Sequence, residues 1–213
     1  MKRMVNGLIL VVLALVVGCG TYTATSPAPA PVRANEPKAS PTDLAETTAV
    51  TPAAPNTLTP ANTKIEWVGT KAEGKHDGGF KDFHGSLDLQ GNDPTAAKIS
   101  LEINANSLYS DTAKLTGHLK SPDFFDVKTY QKATFVTKDI KAGNGATCTV
   151  TGDLTLHGVT KPITFPATIK ATDDAVELNS EFKINRRDFG MDFGPGKVHD
   201  DVQLKIASKV ARK

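Results

Sequence analysis

The sequence predicts an all-β domain of eight antiparallel strands, with one short helical segment among them. Apolar and polar residues alternate with a period of two in most segments after residue 62, which is typical of strands that bury one face. Turn-forming residues such as Gly91-Asn92 and Gly143-Asn144 separate the segments. Only residues 110–120 break this rhythm with a helical pattern.

The 213 residues divide into three parts of different composition. Residues 1–18 are a charged start followed by an apolar run, which predicts a signal peptide. Residues 19–61 are rich in Pro, Ala and Thr and poor in large apolar side chains, which predicts a disordered tether. Residues 62–213 hold all nine Phe and the single Trp. We therefore expect one packed domain, over residues 62–213.

The N-terminal segment has the features of a lipoprotein signal. A basic start at Met1–Met4 precedes the apolar run Leu8–Val17, which is too short to span a membrane. The run ends at Gly18-Cys19, which resembles a bacterial lipobox and implies an acylated Cys19; an ordinary secreted protein is the alternative. In many diderm bacteria an Asp directly after the acylated cysteine would favour retention in the inner membrane. Because Gly20 stands there instead, we expect the protein in the outer membrane, facing the periplasm.

Eight segments carry the strand pattern, at residues 64–67, 79–89, 98–104, 132–141, 148–157, 163–170, 176–184 and 202–206. The three-residue spacing of Phe80 and Phe83 predicts a bulge or bend in the second strand. In the fourth, Phe135 faces one way while Val136 and Ile140 face the other, so we expect that strand to be covered on both sides.

Residues 110–120 predict a short helix before a second turn that carries two phenylalanines. Ser110 or Asp111 would be its N-cap, and Leu115 and Leu119 lie one turn apart on one face.

Antiparallel strands with short connections form either a sandwich or a closed up-and-down barrel. The sequential order favours the up-and-down barrel, and eight strands can enclose a small ligand. The apolar residues of nearly every strand point to one side, so the content of the lumen is apolar. The pattern fits a ligand cavity and a core filled by the protein's own side chains equally well.

Charge and motifs exclude several classes of function. With 25 basic and 23 acidic residues the net charge is only +2, which gives no reason to expect nucleic acid as a partner. The sequence has no nucleophile elbow, zinc-protease, Walker A or dinucleotide-binding motif, so we predict no enzyme, catalytic residue or cofactor. The five His lack metal-site spacing, and Cys148 occupies an inward strand position. Nothing in the sequence indicates an oligomeric state.

Four stretches carry a family resemblance: GKHDGGFKDFHG at 74–85, HLKSPDFFDV at 118–127, VTGDLTLHGVTKP at 150–162 and INRRDFG at 184–190. In this order and spacing they resemble the YceI-like domain, a bacterial lipocalin-like polyisoprenoid-binding family. The resemblance implies an eight-stranded lipocalin-like barrel with a helical cap, located in the periplasm. It also implies a tunnel for a long isoprenoid chain.

The resemblance predicts binding or carriage of a long-chain isoprenoid lipid, of the polyprenyl or quinone type, in the cell envelope. The inward residues that would line the tunnel are Trp67, Ile103, Phe135, Val150, Leu154, Phe165, Phe182 and Ile184. The residues that would close it are Leu115, Leu119, Phe124 and Phe125. Ordinary core packing is the alternative for each residue. The alternative functions are a structural or stress-related envelope lipoprotein with a filled core, and an enzyme acting on an isoprenoid.

The motif Arg186-Arg187-Asp188 has two interpretations. Its charges could hold a polar head group, or they could fix the neighbouring loop through an Arg–carboxylate pair. We favour the second interpretation, because Phe189-Gly190 follows directly and suits a loop that is held in place.

Overall fold

The fold begins earlier in the chain than the composition predicts. The structure, a computed structural model, describes residues 54–212, so the predicted signal peptide and most of the predicted tether lie outside the described residues. The first strand, at Thr57–Leu58, pairs with Ser86 and Gly85. Leu58 is buried in the core. The folded part therefore includes residues that the sequence assigned to the tether.

The described chain contains eleven β-strands and one α-helix, with three short 3-10 turns between them. The strands are β1 (Thr57–Leu58), β2 (Thr63–Lys71), β3 (Gly74–Phe80), β4 (Phe83–Asp88), β5 (Lys98–Asn104), β6 (Leu108–Ser110), β7 (Lys132–Ala142), β8 (Thr147–Leu156), β9 (Val159–Ala171), β10 (Ala175–Asn185) and β11 (Val198–Ala211). The helix α1 is Ala113–Leu119. Within residues 54–212, no helix has the length and apolarity needed to cross a membrane.

All strands belong to one antiparallel sheet, in the order β1-β4-β5-β7-β8-β9-β10-β11-β2-β3-β6. From β7 to β11 each strand pairs with the next in the chain, which confirms the predicted up-and-down order. Residues from ten of its strands surround one cavity, which shows that the sheet curls into a half-barrel.

The predicted count of eight strands was wrong. The predicted strand 79–89 is interrupted after Phe80, so that β3 pairs with β2 while β4 pairs with β5 on the other side. The break confirms the predicted bend between Phe80 and Phe83. The short strands β1 and β6 were not predicted, because two or three residues are too few to show a period.

The sequence predicted that strand β7 is covered on both faces, and this prediction was wrong. A register shift between Thr137 and Asp139 inserts an extra residue opposite β8. The insertion returns Ile140 to the inner face, where it packs in the same cluster as Phe135. Val136 is 52% exposed and therefore faces solvent.

The helix begins later than predicted, and Thr112 is its N-cap. The Thr112 hydroxyl accepts a hydrogen bond from the Leu115 backbone N at 3.3 Å. The two predicted caps are otherwise engaged: the Ser110 hydroxyl donates to the Thr112 carbonyl at 2.9 Å, and the Asp111 carboxylate lies 2.9 Å from Nδ1 of His76.

The buried side chains form two clusters. We call the first the closed-end cluster; its fully buried members are Leu87, Val150, Ile169, Val176 and Val210. We call the second the cap-end cluster; its members are Ile65, Phe83, Ile103, Ala133, Leu156, Phe189 and Met191. The partly buried Leu101, Leu154 and Ile163 contact both clusters, so they lie between the two ends of the half-barrel.

Cys148 is a buried apolar residue, as predicted. Its thiol lies 3.5 Å from the carbonyl oxygen of Ala167, within the closed-end cluster. Burial raises the pKa of the Cys148 thiol. The thiol is therefore a packing group rather than a nucleophile.

Candidate ligand-binding cavity

The concave side of the sheet encloses a cavity of about 190 Å³. Every strand except β6 contributes to its wall, and the surface of that wall is almost entirely apolar. For comparison, an engineered apolar cavity of roughly 150 Å³ stays dry and binds benzene. The half-barrel therefore leaves room that its own side chains do not fill.

The cavity is long and narrow. On β11 the lining runs from Val198 to Ser208, a span of about 30 Å at the rise of an extended strand. A volume of about 190 Å³ spread over such a span suits a linear, flexible chain better than a compact, rigid molecule.

The closed-end cluster blocks one end of the cavity. Leu58, Leu87, Ile99 and Leu178 contribute to the lining there and pack within this cluster. Leu58 comes from β1, so the early strand that the sequence missed supplies part of the closure.

The segment from α1 to Phe125 covers the other end. Leu119, Phe124 and Phe125 line the cavity. The ring of Phe125 meets Phe80 edge-on at 6.1 Å between centroids. The ring of His118 packs against Phe124 at 5.1 Å, and its Nε2 lies 2.8 Å from the Asp123 carboxylate. The contact between Phe125 and Phe80 holds this aromatic cap against the sheet, and the contacts of His118 hold the cap itself together.

The structure brings together most of the residues that the sequence singled out. Ten of the twelve line the cavity: Trp67, Ile103, Leu119, Phe124, Phe125, Phe135, Leu154, Phe165, Phe182 and Ile184. This finding concerns their placement; their contact with a ligand stays a prediction.

Two of the predicted residues, Val150 and Leu115, do not line the cavity. Val150 points inward but is fully buried in the closed-end cluster, where neighbouring side chains fill the space. Leu115 lies in the first part of α1, which is held to β6 by a 2.9 Å hydrogen bond from the Ser110 backbone N to the Thr116 hydroxyl. Because β6 contributes nothing to the lining, only the last turn of α1 reaches the cavity.

Sequence reasoning did not name Met191 and His199 as lining residues, and it favoured a loop-fixing role for Arg186; all three line the cavity after β10. They lie within or beside a Gly- and Pro-containing loop that lacks a strand period, so no periodic signal could identify them as lining residues. Other lining residues, such as Leu204 and Ile206, follow the same alternation as the named set and could have been added from it.

Arg186 is 3% exposed, and each of the three guanidinium nitrogens donates at least one hydrogen bond. Its Nε donates to the His199 carbonyl at 3.2 Å, and its Nη1 donates to the Met191 carbonyl. Its Nη2 donates to the Val198 carbonyl at 3.3 Å and to the Asp200 carboxylate at 2.9 Å. These bonds join both ends of the loop between β10 and β11, which supports the interpretation that Arg186 fixes this loop.

The two following charges of the motif lie outside the cavity. Arg187 donates from Nε to Asp192 at 3.0 Å, and this hydrogen bond together with the charge of Asp200 raises the pKa of the Arg187 guanidinium. Asp188 pairs with Lys161 at 3.4 Å. Neither side chain contributes to the lining.

The indole nitrogen of Trp67 is a buried polar atom that makes no hydrogen bond within the part of the chain that the structure describes. Trp67 itself is 8% exposed and lines the cavity. The ring lies close to Gly78, where an added Cβ would approach it to 2.5 Å.

Within residues 54–212 no cluster of three His, Cys, Asp or Glu side chains could hold a metal ion.

Comparison with known proteins gives one consistent result. The family model described as "YceI-like domain" matches residues 57–210. A UPF0312 protein of Pseudomonas putida is 40% identical over 136 residues, which cover 61% of this chain and 70% of the relative. The crystal structure of BcnA from Burkholderia cenocepacia has a TM-score of 0.66 and 26% identity, covering 72% of this chain and 99% of BcnA. The structure of a polyisoprenoid binding domain from Saccharophagus degradans has a TM-score of 0.61 and 15% identity, and the match covers 75% of this chain and 100% of that domain.

Proposed function

The chain belongs to the YceI-like domain family, and from this premise we propose that it binds or carries a long isoprenoid lipid in its cavity. One observation supports the proposal above all: the half-barrel encloses a long, narrow and almost entirely apolar space that remains unfilled. The structural neighbour from S. degradans is described as a polyisoprenoid binding domain.

The driving force for such binding is the removal of hydrocarbon from water. Each methylene group taken out of water contributes about 0.8 kcal/mol. Because an extended chain with C–C bonds near 1.5 Å advances less than one bond length per carbon, a cavity of about 30 Å holds at least roughly 20 carbons. The gross gain is then on the order of 16 kcal/mol, before the cost of ordering the chain and of association.

The cavity also argues against the alternative of a filled structural core. Leu101, Leu154, Ile163 and Phe182 point inward but are only partly buried, because they face the empty space. A protein with no ligand would gain stability by filling this space, since each unfilled methyl-sized void costs about 1 kcal/mol.

We propose binding rather than catalysis. Among the described residues, the ionisable side chains of the lining are Arg186 and His199. Arg186 is held by four acceptors, and Nδ1 of His199 is bonded to the Thr70 hydroxyl at 2.8 Å. Arg186 is therefore not free to act as an acid, base or nucleophile toward a bound chain, and His199 has Nδ1 already engaged.

Filling the middle of the cavity should abolish lipid binding. Leu154→Trp places an indole between the two clusters, so we expect at least a tenfold loss of isoprenoid recovered by mass spectrometry from organic extracts of the purified protein. Thr155→Trp puts the same side chain on the opposite face of β8 and should retain the lipid. Folded wild-type protein that yields no isoprenoid, and binds none when it is added, would sink the proposal.

We further propose that the protein is an outer-membrane lipoprotein that faces the periplasm, anchored through Cys19. The proposal is supported by the basic start, the short apolar run and the cysteine that follows them. Acyl chains on Cys19 would hold the protein on the membrane, because two or more chains are needed for stable attachment. The Pro-rich segment after Cys19 would then connect the anchor to the lipid-binding domain.

Replacing Cys19 should release the protein from the membrane. Cys19→Ala removes the only thiol available for acylation in the predicted signal, so we expect no lipid-modified mass and a shift from the membrane fraction to the soluble fraction. Cys148→Ala is the matched control, because that thiol is buried in the core, and it should leave fractionation unchanged. Membrane association that persists in Cys19→Ala contradicts the anchor.

A further inference from the structure

We propose that a bound isoprenoid enters and leaves the cavity sideways, through a seam in the wall between β9 and β10. The seam consists of residues 159–167 of β9 and 180–185 of β10, which lie beyond the paired part of these two strands. The proposal rests on the proposed function and adds the route by which the lipid reaches the cavity.

The seam is an interruption of the β ladder. In the described part of the chain, β9 and β10 pair only where residues 168–171 lie opposite residues 176–179. On their other sides the pairing continues: β9 pairs with β8 as far as Val159, and β10 pairs with β11 as far as Asn185. The ladder is therefore interrupted on one side of each strand only.

Two prolines explain why the ladder ends. The Ser180 hydroxyl donates to the Pro166 carbonyl at 2.6 Å, so the backbone groups of Pro166 face β10. In an antiparallel strand the N–H and C=O of one residue point to the same neighbouring strand, and proline has no N–H. Pro162 lies four residues away and faces the same way. The seam therefore lacks two of the donors from which a ladder would be built.

Side chains close the seam in place of backbone hydrogen bonds. The rings of Phe165 and Phe182 stack across it, with 4.2 Å between their centroids and 10° between their planes. Besides the serine hydrogen bond, an exposed ion pair of Lys161 with Asp188 at 3.4 Å joins the two sides. Opening the seam separates these side chains and leaves the ladders with β8 and β11 intact.

The inner side of the seam is part of the cavity wall. Ile163, Phe165, Phe182 and Ile184 all line the cavity. Residues 159–167 extend over about 26 Å at the rise of a strand, which is close to the length of the cavity. A chain that left end-first would have to pass the aromatic cap one carbon after another. An open seam instead exposes the chain along most of its length.

The cap end is the alternative exit, and a larger set of contacts closes it. Phe125 packs against Phe80 of β3, and Phe124 packs against Phe193 of the loop between β10 and β11. Arg186 fixes that loop through four hydrogen bonds. Moving the cap therefore disturbs more of the structure than opening the seam does.

The rate at which a loaded lipid is released tests the proposal. The full chain is loaded with menaquinone-4, whose quinone ring quenches the fluorescence of Trp67, the only tryptophan, and is mixed with excess phosphatidylcholine vesicles. Recovery of the fluorescence gives the release rate. The equilibrium partition of menaquinone-4 between the protein and a limiting amount of vesicles gives the affinity. A change in the seam alters the release rate alone, whereas a lost contact in the cavity alters both quantities.

Two seam variants should change the release rate in opposite directions. Ser180→Ala removes the hydrogen bond to Pro166 outside the cavity lining, so we expect release about two- to tenfold faster at an unchanged partition. Pro162→Thr combined with Pro166→Thr restores the missing donors and should slow release at least about tenfold. Thr151→Ala is the matched control. It removes a 3.0 Å side-chain hydrogen bond to Thr164 on the paired side of β9 and should leave the release rate unchanged.

Phe124→Ala distinguishes an exit at the cap. Phe124 lines the cavity, so we expect its truncation to accelerate release only by the factor by which the partition falls. Acceleration beyond that factor, with no effect of the seam variants, places the exit at the cap and overturns the proposal. An unchanged release rate in both seam variants also overturns the lateral route and leaves isoprenoid binding intact. Menaquinone-4 that neither quenches Trp67 nor co-elutes with the wild-type protein overturns the proposed function instead.

Discussion

Replacing Arg186 with methionine is expected to lower the free energy of unfolding by about 3 to 5 kcal/mol, the range for removal of one partner from a buried ion pair. Methionine retains much of the side-chain length but none of the donors. The carbonyl oxygens of Met191, Val198 and His199 then lose their partner, and so does the Asp200 carboxylate. Each buried acceptor left without a donor costs about 1 to 3 kcal/mol.

Part of this cost is recovered where water can reach the broken contacts. The Asp200 carboxylate is partly exposed, so it can be rehydrated, whereas the Met191 carbonyl is bonded inside the buried part of the network. The loss should also loosen the loop that Arg186 joins to β11, and this loop supplies Met191 to the cavity wall. We therefore expect weaker lipid retention in the variant at temperatures where it remains folded.

Arg187→Met is the matched control. Arg187 is the next residue and also pairs with Asp200 and with Asp192, but its side chain is 48% exposed. An exposed ion pair contributes about 1 kcal/mol or less. Urea denaturation followed by the fluorescence of Trp67 measures both variants; equal losses at the two positions would show that the buried network of Arg186 has no special role.

A second large effect is expected from Gly78→Ala. A Cβ at this position would lie 2.0 Å from the Tyr109 carbonyl oxygen and 2.5 Å from the Trp67 ring. The carbonyl belongs to β6, which pairs with β3 here, so relief of the clash requires the two backbones to separate. We expect a loss of more than about 3 kcal/mol in the free energy of unfolding, at the upper end of overpacking effects.

Gly117→Ala provides a control with the opposite sign. Gly117 lies inside α1, and a Cβ added there meets no atom within 4 Å. Alanine favours a helix interior over glycine by roughly 0.5 to 1 kcal/mol, so this variant should be slightly more stable than the wild type. Thermal unfolding followed by circular dichroism separates the two outcomes. A Gly78→Ala protein as stable as the wild type would contradict the close approach of β6.

The period-two pattern predicted the inner face of the sheet well. Trp67 on β2, Phe165 on β9 and Phe182 on β10 all line the cavity, because side chains alternate strictly across a regular strand. Where a strand is irregular the rule fails: the bulge between Thr137 and Asp139 returns Ile140 to the inside, and no local feature of the sequence marks it.

Contacts between distant parts of the chain were beyond the sequence pattern. Leu58 packs in the closed-end cluster through a two-residue strand that pairs with β4. Arg186 meets acceptors on residues 191–200, and these contacts depend on the path of the loop rather than on a period. The unpaired donor of Trp67 is likewise visible only when all of its neighbours are in place.

By itself, the sequence determined which side chains point inward on the regular strands and that the interior is apolar, because both follow from local alternation and composition. Only the tertiary structure decided whether the interior is filled. Val150 and Leu154 show the difference: they face inward on the same strand, yet Val150 is sealed in the closed-end cluster and Leu154 borders the cavity. The physical reason is that free volume depends on the curvature of the sheet and on side chains from every strand around it, which no single segment encodes.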